Sequence, residues 1–282
     1  MHAVAIVAPG VVFSHESAAV LWGMPVIGDP LIVHIAVPAT SAAREVAGIR
    51  AHRVSSYPDV IESGGLLAVS PASVAVTLAR HRHEAVGLAA ADAALRLDPT
   101  ATPSMLVADN ESRASTRGRR HARWALGRAD GIRESVLESV SAAAIEWFGY
   151  PPPVCQEEFA DDTGSVLRGD FWWPEARLVG EPDGEFKYDG SFGDPAQLLR
   201  ARHERDRVLM RAGARAVAHW GWVDVARVWP LRQSLTGHGL SQITAEDSGR
   251  LASLSRTLTT YETALRPVVR LRERTRYRRE NG

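Results

Sequence analysis

Between residues 169 and 188 the chain reads GDFWWPEARLVGEPDGEFKY, and the side chains there most able to do chemistry are the carboxylates Asp170, Glu181 and Asp183. Phe171, Trp172 and Trp173 on one side, and Leu178 and Val179 on the other, favour extended chain, which makes the stretch a β-hairpin. With Pro174, Glu175, Ala176 and Arg177 in the turn, Trp173 faces Leu178, Trp172 faces Val179, Phe171 faces Gly180 and Asp170 faces Glu181. Side chains opposed in this way have Cβ atoms about 4.5 to 5.5 Å apart. Strand alternation puts Asp183 on the face of Glu181, with Arg168 opposite Asp183. Like charges facing one another destabilise a sheet, so the patch needs a compensating cation or a raised pKa. Mg²⁺, or Mn²⁺ in its place, is the economical cation. It takes oxygen ligands, often one or two carboxylates together with substrate phosphate oxygens. That chemistry suits phosphodiester hydrolysis, in which the ion polarises the phosphoryl group and acidifies an attacking water. Lys187 or Arg168 is placed to steady the negative charge that develops. The competing reading makes Asp170 and Asp183 surface residues salt-bridged to Arg168 and Arg177.

The elements that must position this hairpin are legible on both sides of it. A helix is expected over 133–150, with Val136, Val140, Ala144 and Trp147 or Phe148 forming its apolar stripe. A second is expected over 194–213, with Asp194 as N-cap, Pro195 at the first helical position and Gly213 at the exit. A strand at 214–220 follows. Helix, strand, strand, helix, strand describes an α/β domain around a small mixed sheet flanked by helices, assigned to residues 131–230.

Residues 1–98 read as a separate small α/β unit. It has a helix from Ser14 to Gly23, strands at 31–38 and 49–55, and one or two helices over 70–97. His15, His34, His52, His81 and His83 are too scattered for a metal-ligand spacing and are read as surface or satisfied core histidines. The segment 99–130 is rich in arginine and is expected as a basic helical linker, either solvated or in contact with phosphates through Arg119, Arg120 and Arg123. Residues 231–282 are expected as a helical extension with a basic tail.

Composition sets the outer limits. The chain has 282 residues with 33 basic and 33 acidic side chains, so a nucleic-acid partner needs a local basic patch. Lys187 is the single lysine, against 32 arginines. One cysteine, Cys155, allows no internal disulfide, and neither a signal peptide nor a membrane-length apolar run is evident. A cytoplasmic protein without a membrane partner is expected.

Four segments also carry a resemblance. ESVLES, YPPPVCQ, GDFWWPEARLVGEPDGEFKY and ERDRVLMRAGARAV, in that order over residues 130–225, resemble the very-short-patch-repair-endonuclease-like family of the PD-(D/E)XK superfamily, in its actinobacterial version. VVFSHESAAVLWGMP, LLAVSPASVAVTLAR and AAADAALR look like the middle portion of AbiEi-type antitoxins, to which that domain is often fused. The resemblance implies a restriction-endonuclease-like α/β domain with Asp170 and Glu181 as metal ligands. It implies Glu138, or less aptly Glu134, as the helix glutamate that completes the acidic cluster. Arg205 and Asp206 match a structural or phosphate-orienting pair. Asp183 stands where the superfamily has lysine, and Lys187 where this branch usually has histidine. The implied partners are DNA and a cognate toxin, in a toxin-antitoxin or phage-defence setting. A catalytically silent, DNA-binding antitoxin or regulator is the alternative. The winged helix-turn-helix that usually opens AbiEi-type proteins is not recognised, which leaves direct promoter recognition without its usual element.

Overall fold

A computed structural model describes residues 1–282 apart from 28–31, 42–44, 47, 55–58, 162–163, 165, 184–194 and 260–282. Lys187, the proposed cap Asp194 and the basic tail therefore lie outside the described residues. The chain forms two compact units, one of Met1–Gly131 with the described residues from Arg256, the other of Ile132–Ser255. Both are α/β. No helix among the described residues is long and apolar enough to cross a membrane.

In the first unit, α1 (His2–Val7), β1 (Val12–Phe13), α2 (His15–Leu21), β2 (Val33–Pro38), β3 (Glu45–Val46), β4 (Ile49–Val54), β5 (Val60–Ser63) and β6 (Leu66–Val69) precede a run of helices. The strands form a mixed sheet in the order β3-β4-β2-β1-β6-β5. Two-residue β1 is central to it, antiparallel to β2 and parallel to β6. The helices are α3 (Pro71–His81), α4 (Glu84–Leu97), α5 (Pro103–Ser112) and α6 (Arg119–Leu126). Ser70 starts α3 by accepting a hydrogen bond from Ser73 N–H, with Pro71 in the first turn where its missing donor costs nothing. Helices α3 and α4 approach closely at Gly87, where an added Cβ would lie 2.7 Å from Ala79 Cα.

The segment 99–130 is no linker. Its helices α5 and α6 pack on α3 and α4 within the first unit. Buried Arg80 ties them in, donating Nε–H to Asn110 Oδ1 at 2.8 Å and Nη2–H to Ser115 O at 2.9 Å. Sequence reading missed this because a short, arginine-rich amphipathic helix looks alike whether its apolar side meets another helix or not.

The second unit runs α7 (Val136–Trp147), β7 (Val154–Ala160), β8 (Val166–Trp173), β9 (Leu178–Pro182), α8 (Pro195–Arg211), β10 (Ala216–Trp220), α9 (Trp222–Arg227) and α10 (Trp229–Gly237), with a further helix starting at 248. Its sheet has the order β10-β9-β8-β7. Strands β7, β8 and β9 form an antiparallel meander and β10 lies parallel to β9. The hairpin has the expected register, with Phe171 opposite Gly180, Trp172 opposite Val179 and Trp173 opposite Leu178. Strand β7 is an addition to the sequence reading.

Successive residues of β9 point to opposite faces of the sheet and so define two cores. Val179 joins Phe159, Leu209 and Ala214 on the side of α8. Gly180 lies under Trp220, whose ring would come within 2.5 Å of any Cβ added there. Trp220 stacks on Phe171 at 5.8 Å and donates its indole N–H to Ser141 Oγ of α7 at 2.8 Å. Glycine at 180 is what lets a tryptophan lie flat on the strand.

Candidate acidic site

Five elements of the second unit bring polar groups to one place. Ser135 caps α7 by accepting from Glu138 N–H at 3.1 Å, and Glu138 Oε2 accepts from Glu134 N–H at 2.8 Å. The first bond caps the helix and the second reaches one residue past the cap, and together they hold the buried Glu138 carboxylate at the mouth of the helix. From β7, Gln156 Nε2 donates to Glu138 Oε2 at 2.8 Å and to Asp170 Oδ1 of β8 at 3.1 Å. Gln156 has a left-handed backbone, φ 58°, between the pairs Cys155 with Phe171 and Glu157 with Gly169. A non-glycine residue held there inside a strand costs about 1 kcal/mol or more. The cost goes with an amide that links two carboxylates.

Glu181 of β9 is buried and gripped from α8. Arg205 donates Nε–H to Oε2 at 3.2 Å and Nη2–H to Oε1 at 3.0 Å. Such a two-pronged pair fixes both groups. Among the described residues, Asp170 has no matching cation of its own. Burial first, then the charges of Glu181 and Glu138, push its carboxyl up to about 7, against the pull of the Gln156 hydrogen bond and of Arg205. Burial also raises Glu181, with Arg205 opposing. The site is thus a partly dehydrated set of acids with incomplete compensation.

Asp183 belongs to a neighbouring network. Its Oδ2 lies 2.9 Å from His219 Nδ1 and 3.7 Å from Arg202 Nε, while His219 Nε2 lies 2.9 Å from Asp206 Oδ1. Both ring nitrogens meet carboxylates, an arrangement fully satisfied when the ring carries two protons. Asp206, for which a structural or phosphate-orienting role is expected, meets His219 Nε2.

The expected arginine pairings differ in the structure. Arg168 bonds Glu134 at 2.6 Å instead of standing over Asp183, because Glu134 at the start of α7 is within its reach. Arg177 donates to Gly213 O at 2.8 Å, so the surface salt bridges to Asp170 and Asp183 are not formed by these arginines. In the first unit, Arg123 pairs with Glu111 at 2.8 Å, Arg119 donates to Arg113 O at 2.6 Å, and Arg120 is exposed. Gln156 and His219 escaped sequence reading altogether. Recognising VCQEEF as a strand would have set Gln156 opposite Asp170, whereas nothing local marks His219.

Among the described residues, the acids stop short of a three-ligand cage. Among the described residues, the grouping of three potential metal-ligand side chains with donor atoms within 4.8 Å of one another is formed by histidines of the first unit.

Residues 10–127 match the sequence model of the AbiEi antitoxin C-terminal domain family. The match runs beyond residue 98 and takes in α5 and α6, as does the first compact unit. It does not reach the second unit, and the likeness of that unit to very-short-patch-repair endonucleases has no counterpart in this match. An uncharacterized protein of Mycobacterium tuberculosis, represented in strains H37Rv and CDC 1551/Oshkosh, is 34% identical over 191 residues. The aligned part is 65% of this chain and 65% of that protein, so the chain spans just under two thirds of the relative's length. No solved structure matches.

Proposed function

We propose that this chain joins an AbiEi-type antitoxin domain to a second unit that binds a phosphodiester backbone and hydrolyses it with Mg²⁺ or Mn²⁺. The observation that carries the reading is the position of Asp170, facing the charges of Glu138 and Glu181 with Gln156 as its hydrogen-bond donor. The donor set suits a hard cation, which takes one or two carboxylates and leaves its other positions to water and phosphate oxygens. Asp170 is the ligand with spare capacity. Glu181 can share an oxygen because a carboxylate offers about four lone-pair sites and Arg205 uses two of them. A bound cation supplies charge for the phosphoryl oxygens and a more acidic water.

The chain's own residues do the positioning. Gln156 holds the Glu138 and Asp170 carboxylates apart and in place, and Arg205 prevents Glu181 from swinging away. Arg168, 48% exposed, is the arginine of this group most able to meet a backbone phosphate. DNA is the substrate class that the fold analogy favours, and a cognate toxin is the partner implied by the antitoxin domain.

A second reading is favoured by how fully Glu181 and Asp183 are engaged by Arg205, His219 and Arg202. A site so neutralised would serve a silent scaffold that binds DNA for an antitoxin or regulator. Plasmid and single-stranded DNA incubated with Mg²⁺ or Mn²⁺ separate the two. Cleavage by the wild type that falls at least about 100-fold in Asp170→Ala supports hydrolysis. Salt-sensitive DNA binding without cleavage, unchanged in Asp170→Ala, supports the scaffold and overturns hydrolysis.

A further inference from the structure

The first unit contains a second constellation that its antitoxin likeness does not account for. His34 on β2 and His52 on β4 share a face of the parallel pair, because His34 lies opposite Arg50 and Ala36 opposite His52. His15 opens α2, in a left-handed backbone with φ 49°, and its ring stacks on His52 with centroids 3.6 Å apart. Each of the three offers a ring nitrogen, and these nitrogens all lie within 4.8 Å of one another. His15 and His34 are buried and His52 is half-buried. We propose that His15, His34 and His52 form a binding site for a Zn²⁺-type transition ion, with a fourth coordination position left for water or a substrate atom.

The surroundings are those of ligands held ready. His34 Nδ1 faces His52 Nε2 at 2.9 Å, and the other nitrogen of His34, Nε2, lies 3.4 Å from Glu16 Oε2. A histidine that turns one nitrogen to an ion and donates the other N–H to a carboxylate is the usual metal-site arrangement, since the carboxylate fixes the tautomer and strengthens the ligand. Glu16 is itself held by Arg82 through its other oxygen, while Oε2 is buried and accepts no hydrogen bond. Ser14 Oγ lies 3.1 Å from His15 Nδ1, which leaves Nε2 of that ring for the ion.

The spacing of the nitrogens is within reach of a tetrahedral ion. Zn–N bonds of 2.0 to 2.1 Å place ligand nitrogens about 3.3 Å apart, so binding lengthens the contact between His34 and His52 slightly and turns the stacked rings toward a common point. The ligands are all nitrogen, with no thiolate and with the carboxylate one step removed, which selects borderline ions such as Zn²⁺ or Co²⁺ over Mg²⁺. Three histidines and an open position leave the ion able to polarise a bound water. The exposed His81 ring, 5.7 Å from His15, stands beside the trio.

Titration of the full-length, tag-free chain with Zn²⁺ and Co²⁺ tests this. Calorimetry is expected to give a single tight Zn²⁺ per chain, with a dissociation constant below about 1 μM, and Co²⁺ to give the visible absorption of a four- or five-coordinate ion. His34→Ala and His52→Gln should each weaken Zn²⁺ by about 100-fold or more, and Glu16→Gln by about 10-fold. Circular dichroism confirms that each variant is folded. If His34→Ala does not fold, the half-buried His52→Gln carries the same test. The proposal is overturned if the folded wild type takes up no stoichiometric Zn²⁺ or Co²⁺. It is equally overturned if His52→Gln binds either ion as tightly as the wild type.

Discussion

Each unit buries a glutamate and grips it with one arginine, and the two differ in what else surrounds it. In the second unit Glu181, 6% exposed, is held by Arg205, 34% exposed, with Asp170 and Glu138 close by. In the first, Glu16, 5% exposed, is held by Arg82, 31% exposed, with histidines close by. Adding a carboxylate to a buried carboxylate raises its pKa, and packing imidazoles together lowers theirs. One region therefore accumulates negative charge that asks for a hard cation. The other accumulates neutral nitrogen donors suited to a softer one. The same ion-pair motif supports opposite chemistries because the neighbours set the charge balance.

The largest effect should come from breaking the pair that stands among like charges. Arg205→Ala leaves Glu181 buried beside Asp170 and should cost the second unit about 3 kcal/mol, less than a fully buried pair because the guanidinium is partly exposed. Adding Glu181→Gln should recover most of the loss. Arg82→Ala should cost the first unit about 1 kcal/mol, because His34 Nε2 stands 3.4 Å from Glu16 Oε2, near enough to close onto it. Hydrogen exchange resolved by peptide reads each unit separately, as a single melting curve for a two-unit chain does not. A larger loss for Arg82→Ala than for Arg205→Ala would break the comparison.

The pH responses should run in opposite directions. Asp170 is raised from 3.8 to about 7 in the folded protein, so its contribution is fully present below about pH 4 and is lost as pH rises through about 7. Asp170→Asn should therefore stabilise the second unit by on the order of 2 kcal/mol at about pH 8 and by nothing at about pH 3.5. His52 is lowered from 6.5 to about 4, so in metal-free protein its contribution is present above 6.5 and is lost as pH falls through about 4. That loss should also be on the order of 2 kcal/mol, and His52→Gln should flatten it. Urea unfolding across pH, followed unit by unit, checks both signs. The smallest effect is expected from Arg123→Ala. Its pair with Glu111 is exposed and screened, and the variant should melt with the wild type in a thermal scan.

The hairpin was legible in detail because its signals are local. Aromatic and β-branched runs flank a proline-containing turn, and period-two alternation fixes which side chains face each other, so the three hairpin pairs followed directly. Arg168 was assigned to the wrong partner because register says which backbone positions are opposite, whereas a long guanidinium reaches the nearest carboxylate in space, here Glu134 from another element. The helices of 99–130 differ from expectation for a related reason. Their arginines suggest solvent or phosphate, yet Arg113 and Arg119 bond carbonyl, hydroxyl and carboxylate groups of their own unit.

What the sequence determined by itself is the α/β class, the hairpin with its register, and the clustering of Asp170 and Glu181, all of which depend on neighbours a few positions apart. Only the tertiary structure decided that Gln156 joins Glu138 to Asp170, that His219 bridges Asp183 and Asp206, and that His15, His34 and His52 meet. Those groups lie on different elements, and their convergence depends on strand order and helix placement, which long-range burial of apolar surface selects and no local spacing records.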